Sequence, residues 1–126
     1  MNYKKQINLP YFPFFTGDYK KDIKLKLLTA GEKGFLLEIW VVMWESDKRC
    51  YLSYNNKPIE IDLLLNLIDI KVKKEVAERI IKKFIEEDIF SIDANNMIYS
   101  KWLIKLEGIS KGKTKDGRQE KKNIEN

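Results

Sequence analysis

The chain has 126 residues, enough for one domain of ordinary size, with 44% hydrophobic residues and a formal net charge of +5. It contains no histidine and one cysteine, Cys50, which excludes most zinc sites, Cys–His and Ser–His catalysis, and any intramolecular disulfide. The longest apolar run, residues 35–44, is interrupted by Glu38 and falls far short of the ~20 residues of a spanning helix, so a cytoplasmic, non-enzymatic protein with no cofactor, metal or membrane association is expected.

Lys4 and Lys5 precede an apolar stretch, but that stretch holds Pro10 and Pro13 among aromatics and lacks a small-residue cleavage site, so secretion is not expected. The opening LPYFPFFTGDYKKD, residues 9–22, is too short and too interrupted by proline for a helix, and it reads as an extended arm. In an extended arm Phe12 and Phe14 point one way and Tyr11, Pro13 and Phe15 the other. One set can pack on the domain near Trp40 and Trp44; the rest makes Tyr11, Phe12, Phe14, Phe15 and Tyr19 candidates for an interface with a partner. Asp18 and Asp22, four residues apart, read as a surface helix pair rather than a metal site.

Thr29 and Glu32 have the spacing of a capping box, which starts a helix at Ala30. Leu36, Ile39, Trp40, Met43 and Trp44 then recur at helical steps, with Phe35, Leu37, Val41 and Val42 widening the stripe until it nearly encircles a buried central helix ending near Glu45-Ser46-Asp47. Residues 50–53 predict a short strand, and Tyr54-Asn55-Asn56-Lys57 a polar turn. Pro58 delays a short second helix to about residues 60–67, with Ile61, Leu64, Leu65 and Ile68 on its apolar face. Asp69-Ile70-Lys71 breaks it. From Val72, the spacing of Val76, Ala77, Ile80, Ile81, Phe84 and Ile85 predicts a third helix ending around Glu87-Asp88. Two β-favouring runs, residues 89–93 and 97–102, flank Ala94-Asn95-Asn96 and predict a hairpin. Residues 107–126 are poor in apolar side chains and are expected to be a basic disordered tail or a linker, following a domain over residues 1–106.

Helix, short strand, two helices and a hairpin is the order of a winged helix-turn-helix, a mainly α fold with a small β-hairpin. The charge is placed towards the end of the chain: residues 1–70 hold ten Lys/Arg against nine Asp/Glu, and residues 71–126 fourteen against ten. Lys71, Lys73 and Lys74 gather where the third helix begins, where its dipole also favours a phosphate. Lys71, Lys73, Lys74, Arg79, Lys82 and Lys83, with Asn95, Asn96 and Lys101 in the wing, are therefore the candidate DNA contacts. The same face is equally that of a solvated helix with pairs such as Glu75–Arg79 and Glu78–Lys82. In the tail, Lys111, Lys113, Lys115, Arg118, Lys121 and Lys122 form a cationic strand suited to tracking phosphates, or a soluble linker.

Three quoted stretches, LPYFPFFTGDYKKD, LLTAGEKGFLLEIW and MWES, together are similar to the start of a phage and prophage protein family that opens with Tyr-x-Pro, Gly-Asp-Tyr and Leu-Thr-x-x-Glu-x-Gly before a long apolar helix. Residues 51–68 and 76–103 resemble the N-terminal winged-helix domain of phage replisome organisers and DnaD-like primosome proteins, with a Tyr-Leu, a turn, a proline, two helices and an Ile-Tyr-x-x-Trp strand. Lys33 stands where the first family commonly has histidine, and Cys50 where the second often has glycine. The resemblance implies a role in initiating phage or mobile-element DNA replication, with DNA, a second copy of the chain, and a helicase or helicase loader as partners. A module that oligomerises or docks on a replication or host protein without binding DNA is the alternative.

Overall fold

The computed structural model describes residues 11–115, which form a mainly helical α+β unit with two small antiparallel strand pairs. Residues 12–15 have no regular structure, and they are followed by α1 (Thr16–Lys21) and α2 (Ile23–Lys26). The second half of the expected arm is thus helical, because Asp22 separates two short turns: its Oδ1 accepts from the amides of Lys24 at 2.9 Å and Leu25 at 3.4 Å. Asp22 is an N-cap, not half of a carboxylate pair.

α3 (Ala30–Glu45) begins on the expected capping box. The Thr29 amide donates to Glu32 Oε1 at 2.9 Å and the Glu32 amide to Thr29 Oγ1 at 3.1 Å. The helix buries Phe35, Leu36, Ile39, Trp40, Met43 and Trp44, but its apolar stripe is wider than the core can cover: Leu37 and Val41 remain 49% and 46% exposed. The expectation of a helix buried all round is corrected to that extent. After α3 the chain returns through Cys50, which has a positive φ of 78° and is fully buried.

Residues 50–52 run beside the later hairpin. Tyr51 bridges Tyr99, the Leu52 amide donates to Ile98 O at 2.8 Å and the Ser100 amide to Cys50 O at 3.0 Å. β1 (Ser53–Tyr54) and β2 (Lys57–Pro58) then pair around Asn55-Asn56, both left-handed with φ of 55° and 61°, as a two-residue hairpin turn requires. The expected turn is therefore a hairpin of its own, and Asp47 Oδ2 holds it to the end of α3 by accepting from the Asn56 amide at 3.0 Å.

α4 (Ile61–Leu67) and α5 (Lys74–Glu86) pack together as the expected helix pair. The Asp69 amide donates to Glu38 Oε1 at 3.1 Å, fastening their connection to α3. Asp88, at φ 61°, ends α5, and the Ile89 and Phe90 amides return to Phe84 O. β3 (Ser91–Ile92) and β4 (Ile98–Tyr99) form the expected hairpin, in register Ser91 with Tyr99 and Ile92 with Ile98. With residues 50–52 alongside β4, three extended segments lie next to the helix pair.

α6 (Lys101–Lys115) corrects two expectations. Lys101 and Trp102 are helical, not part of a strand, because Ser100 Oγ accepts from the Leu103 amide at 3.1 Å and starts a helix there. Residues 107–115 are helical where a disordered tail was expected; residues 116–126, with Arg118, Lys121 and Lys122, lie outside the described residues. Leu103 and Leu106 insert α6 into the core, and Trp102 stacks on Trp40 with ring centroids 4.4 Å apart. Among the described residues no helix is long and apolar enough to cross a membrane.

Candidate nucleic-acid interface

α5 presents its buried stripe, Ala77, Ile81 and Phe84, to α3 and β3, where Phe84 lies 6.4 Å from Phe35 and 5.3 Å from Phe90. That orientation turns its charged residues outward. Lys71, Lys73, Lys74, Arg79 and Lys82 are all exposed, as the sequence implied. Lys73 is the N-cap residue and no side chain caps the helix, so the first-turn amides stay open beside Lys71 and Lys73.

The other candidates fall into different settings. Lys74 Nζ lies 3.5 Å from Asp62 of α4, an exposed pair of small energetic weight. Lys83 is not a free cation: its Nζ donates to both carboxylate oxygens of Glu32, at 3.0 and 2.9 Å, and ties α5 to the capping box of α3. The Thr29 amide first, and then the Lys83 ammonium, hold the Glu32 carboxyl below its ordinary value. Among the described residues no ion pair joins Glu75 to Arg79 or Glu78 to Lys82, so the intrahelical pairing expected of a solvated face is not formed.

Asn95 and Asn96 are exposed at the tip of the β3–β4 hairpin. Asp93 shapes that tip, its Oδ1 accepting from the amides of Asn95 at 2.8 Å and Met97 at 3.0 Å, and Asn96 is left-handed at φ 65°. Lys101 sits elsewhere. With Lys24 and Lys105 it lines a pocket of about 240 Å³ floored by Trp40 and Trp102 and shared with Asp22 and Asp88. Asp88 follows the far end of α5, roughly 20 Å from Lys73 at a helical rise of 1.5 Å per residue. Of the predicted cations, Lys71, Lys73 and Lys74 gather at the start of α5, Arg79 and Lys82 lie further along it, and Lys101 stands apart in the pocket beside Trp102.

The N-terminal aromatics follow the expected alternation only in part. Phe12 packs on Trp44 at 5.4 Å and Trp40 at 6.5 Å. Phe14 meets Tyr19 at 5.1 Å and Trp102 at 5.6 Å while remaining partly open. Tyr11, Phe14 and Phe15 are 62%, 41% and 37% exposed, so of the rings at residues 11–15 Phe12 is the one that the domain covers.

Sequence reasoning missed two apolar grooves. One, of about 470 Å³, lies between α3 and the β1–β2 hairpin and includes Val41, Tyr54 and Leu67. The other, of about 500 Å³, lies between α4, α5 and the β3–β4 hairpin, with Ile61, Ile85 and Ile92 among its walls. The signal for the first was the apolar stripe on α3 that left no polar face; the second depends on tertiary packing and has no local signature. Among the described residues no group of three or more His, Cys, Asp or Glu could hold a metal ion. No family model, curated protein or solved structure matches the chain.

Proposed function

We propose that this chain is a winged-helix module that binds DNA through phosphate contacts and serves initiation of phage or mobile-element replication, as its resemblance to replisome organisers implies. The observation that carries the reading is the placement of residues 50–52 beside β4. It gives the β3–β4 hairpin a third extended segment next to the α4–α5 pair, which supports reading α5 as the groove-facing helix and β3–β4 as the wing. Lys71, Lys73 and Arg79 on α5 and Asn95 and Asn96 on the wing supply the contacts, and Lys74 contributes where its exposed pair with Asp62 opens. The module has no catalytic role in this reading.

Arginine is the side chain best suited to reading guanine, and Arg79 is the one arginine on α5, so the binding is salt-sensitive and sequence-tolerant. A titration of duplex DNA at two salt concentrations tests it. Affinity should fall steeply as salt rises, and Lys71→Glu with Lys73→Glu should abolish binding at low salt. Absence of binding by the unmodified chain at low salt, or binding indifferent to these two changes, overturns the reading.

A second reading rests on the exposed rings of Tyr11, Phe14 and Phe15 and on the two apolar grooves: a protein-docking module in which DNA plays no part.

A further inference from the structure

The groove between α4, α5 and the β3–β4 hairpin has the anatomy of an interface, with an apolar floor and a charged rim. Its floor includes Ile59, Ile61, Leu64, Ile81 and Ile98, and Ile92 stands at its edge 46% exposed. The charged residues on its lining are Glu78, Lys82 and Glu86, all from α5. With Lys74 they recur at every fourth residue and so form a single ridge along the helix, on which the charge alternates in sign. Within the chain this ridge is almost unspent. Among the described residues its members form no ion pair with one another, and Lys74 alone has a partner, the exposed Asp62.

We infer that a second copy of this chain occupies the groove, with the two α5 helices antiparallel about a two-fold axis at the level of Ile80. A two-fold interface must be complementary to itself, residue by residue. Two antiparallel copies of the ridge placed about Ile80 set Glu78 against Lys82 of the second copy and Lys74 against Glu86 of the second copy, each twice. Centring on Glu78 sets Lys74 against Lys82, and centring on Lys82 sets Glu78 against Glu86; both registers oppose like charges. Registers centred on residue 76 or 84 pair only two of the four ridge residues with opposite charges, so the Ile80 register is the one in which alternation pairs all four. A polyanion such as DNA is disfavoured here, because it would meet two carboxylates and an isoleucine floor. The exposed pairs fix register, while burial of Ile92 and the floor supplies the attraction. In the dimer Lys74 and Lys82 then belong to this stripe of α5, and Lys71, Lys73 and Arg79 are left for the proposed DNA contacts, though the inference does not depend on that reading.

Sedimentation of the full chain over a concentration series tests it. The expected result is a reversible monomer–dimer equilibrium, shifted to monomer by Ile92→Lys. Glu78→Lys alone or Lys82→Glu alone should each weaken the dimer about fivefold or more, since each change turns two attractive pairs repulsive. The double change Glu78→Lys with Lys82→Glu should restore it. A monomer at every concentration overturns the inference, as does a dimer that ignores Ile92→Lys or is weakened as much by the double change as by the single ones. Failure here is separable from failure of DNA binding, because Glu78→Lys adds positive charge and strengthens any phosphate-driven association while it weakens the dimer.

Discussion

α3 and α5 are helices of similar length, sixteen and thirteen residues, that divide labour in opposite ways. α3 spends its broad inner face on apolar contacts, holding the arm through Phe12, α6 through Trp102 and α5 through Phe84. α5 buries one stripe and leaves the rest charged and largely unpaired. The contrast teaches that substitutions on α3 should register as stability and those on the outer face of α5 as association. The helices meet at one polar point, the contact of Lys83 with Glu32.

The sharpest way to break the comparison is inside the core. Phe35→Ala on α3 should cost about 3–5 kcal/mol by urea denaturation, since its fully buried ring leaves a cavity. Phe84→Ala should cost a similar amount, because the inner stripe of α5 is as closed as α3. If Phe84→Ala proves mild, the stripe is not anchored as described. Next comes the outer face: Lys71→Glu with Lys73→Glu should leave the unfolding free energy from urea denaturation within about 0.5 kcal/mol of wild type while DNA binding is lost. A large loss of stability in that variant would dissolve the division between the helices.

Smaller still is the capping box. Thr29→Ala should cost about 1 kcal/mol, measured by thermal melting, because the Glu32 amide loses its acceptor. The smallest effect is a dependence on pH. Glu32 titrates below its ordinary value in the folded chain, so its contribution to stability is fully present above the unfolded value of about 4.3 and is lost as pH falls through the lower folded one. The stability difference between wild type and Glu32→Gln should therefore shrink on acidification below that range. A difference that stays constant to pH 2 would mean that the Lys83 contact does not depend on the charge of Glu32.

Much of this arrangement is legible from local rules. The capping box set the start of α3, the apolar spacing of Val76, Ala77, Ile80, Ile81 and Phe84 set α5, and the Asn-containing turn set the β3–β4 hairpin. α6 escapes local rules because Ile98 and Tyr99 favour a strand whose apolar pattern runs on to Trp102, while the residues from 107 onward are poor in apolar side chains. Once Ser100 caps the helix and Leu103 and Leu106 anchor it, each further turn costs little. The candidate site was legible as a set of exposed cations but not as a geometry. Lys83 is taken from the outer face of α5 by Glu32, fifty-one residues away in the sequence, and Lys101 from the wing by the helix that starts at Ser100 and by the pocket beside Trp40, sixty-one residues away. Cys50 adopts the left-handed region that glycine favours, a backbone requirement that a cysteine in the sequence does not announce.

That residue gives the molecule a built-in clock. Cys50 is the sole thiol and is closed to solvent at the seam where residues 50–52 lie against β4 and Sγ faces Glu107 of α6. A thiol-specific dye can reach it only when the seam parts, so the labelling rate of the unmodified chain reports how often the third extended segment separates from the hairpin. DNA or a second copy that steadies the hairpin would slow that labelling, whichever of the two surfaces it occupies.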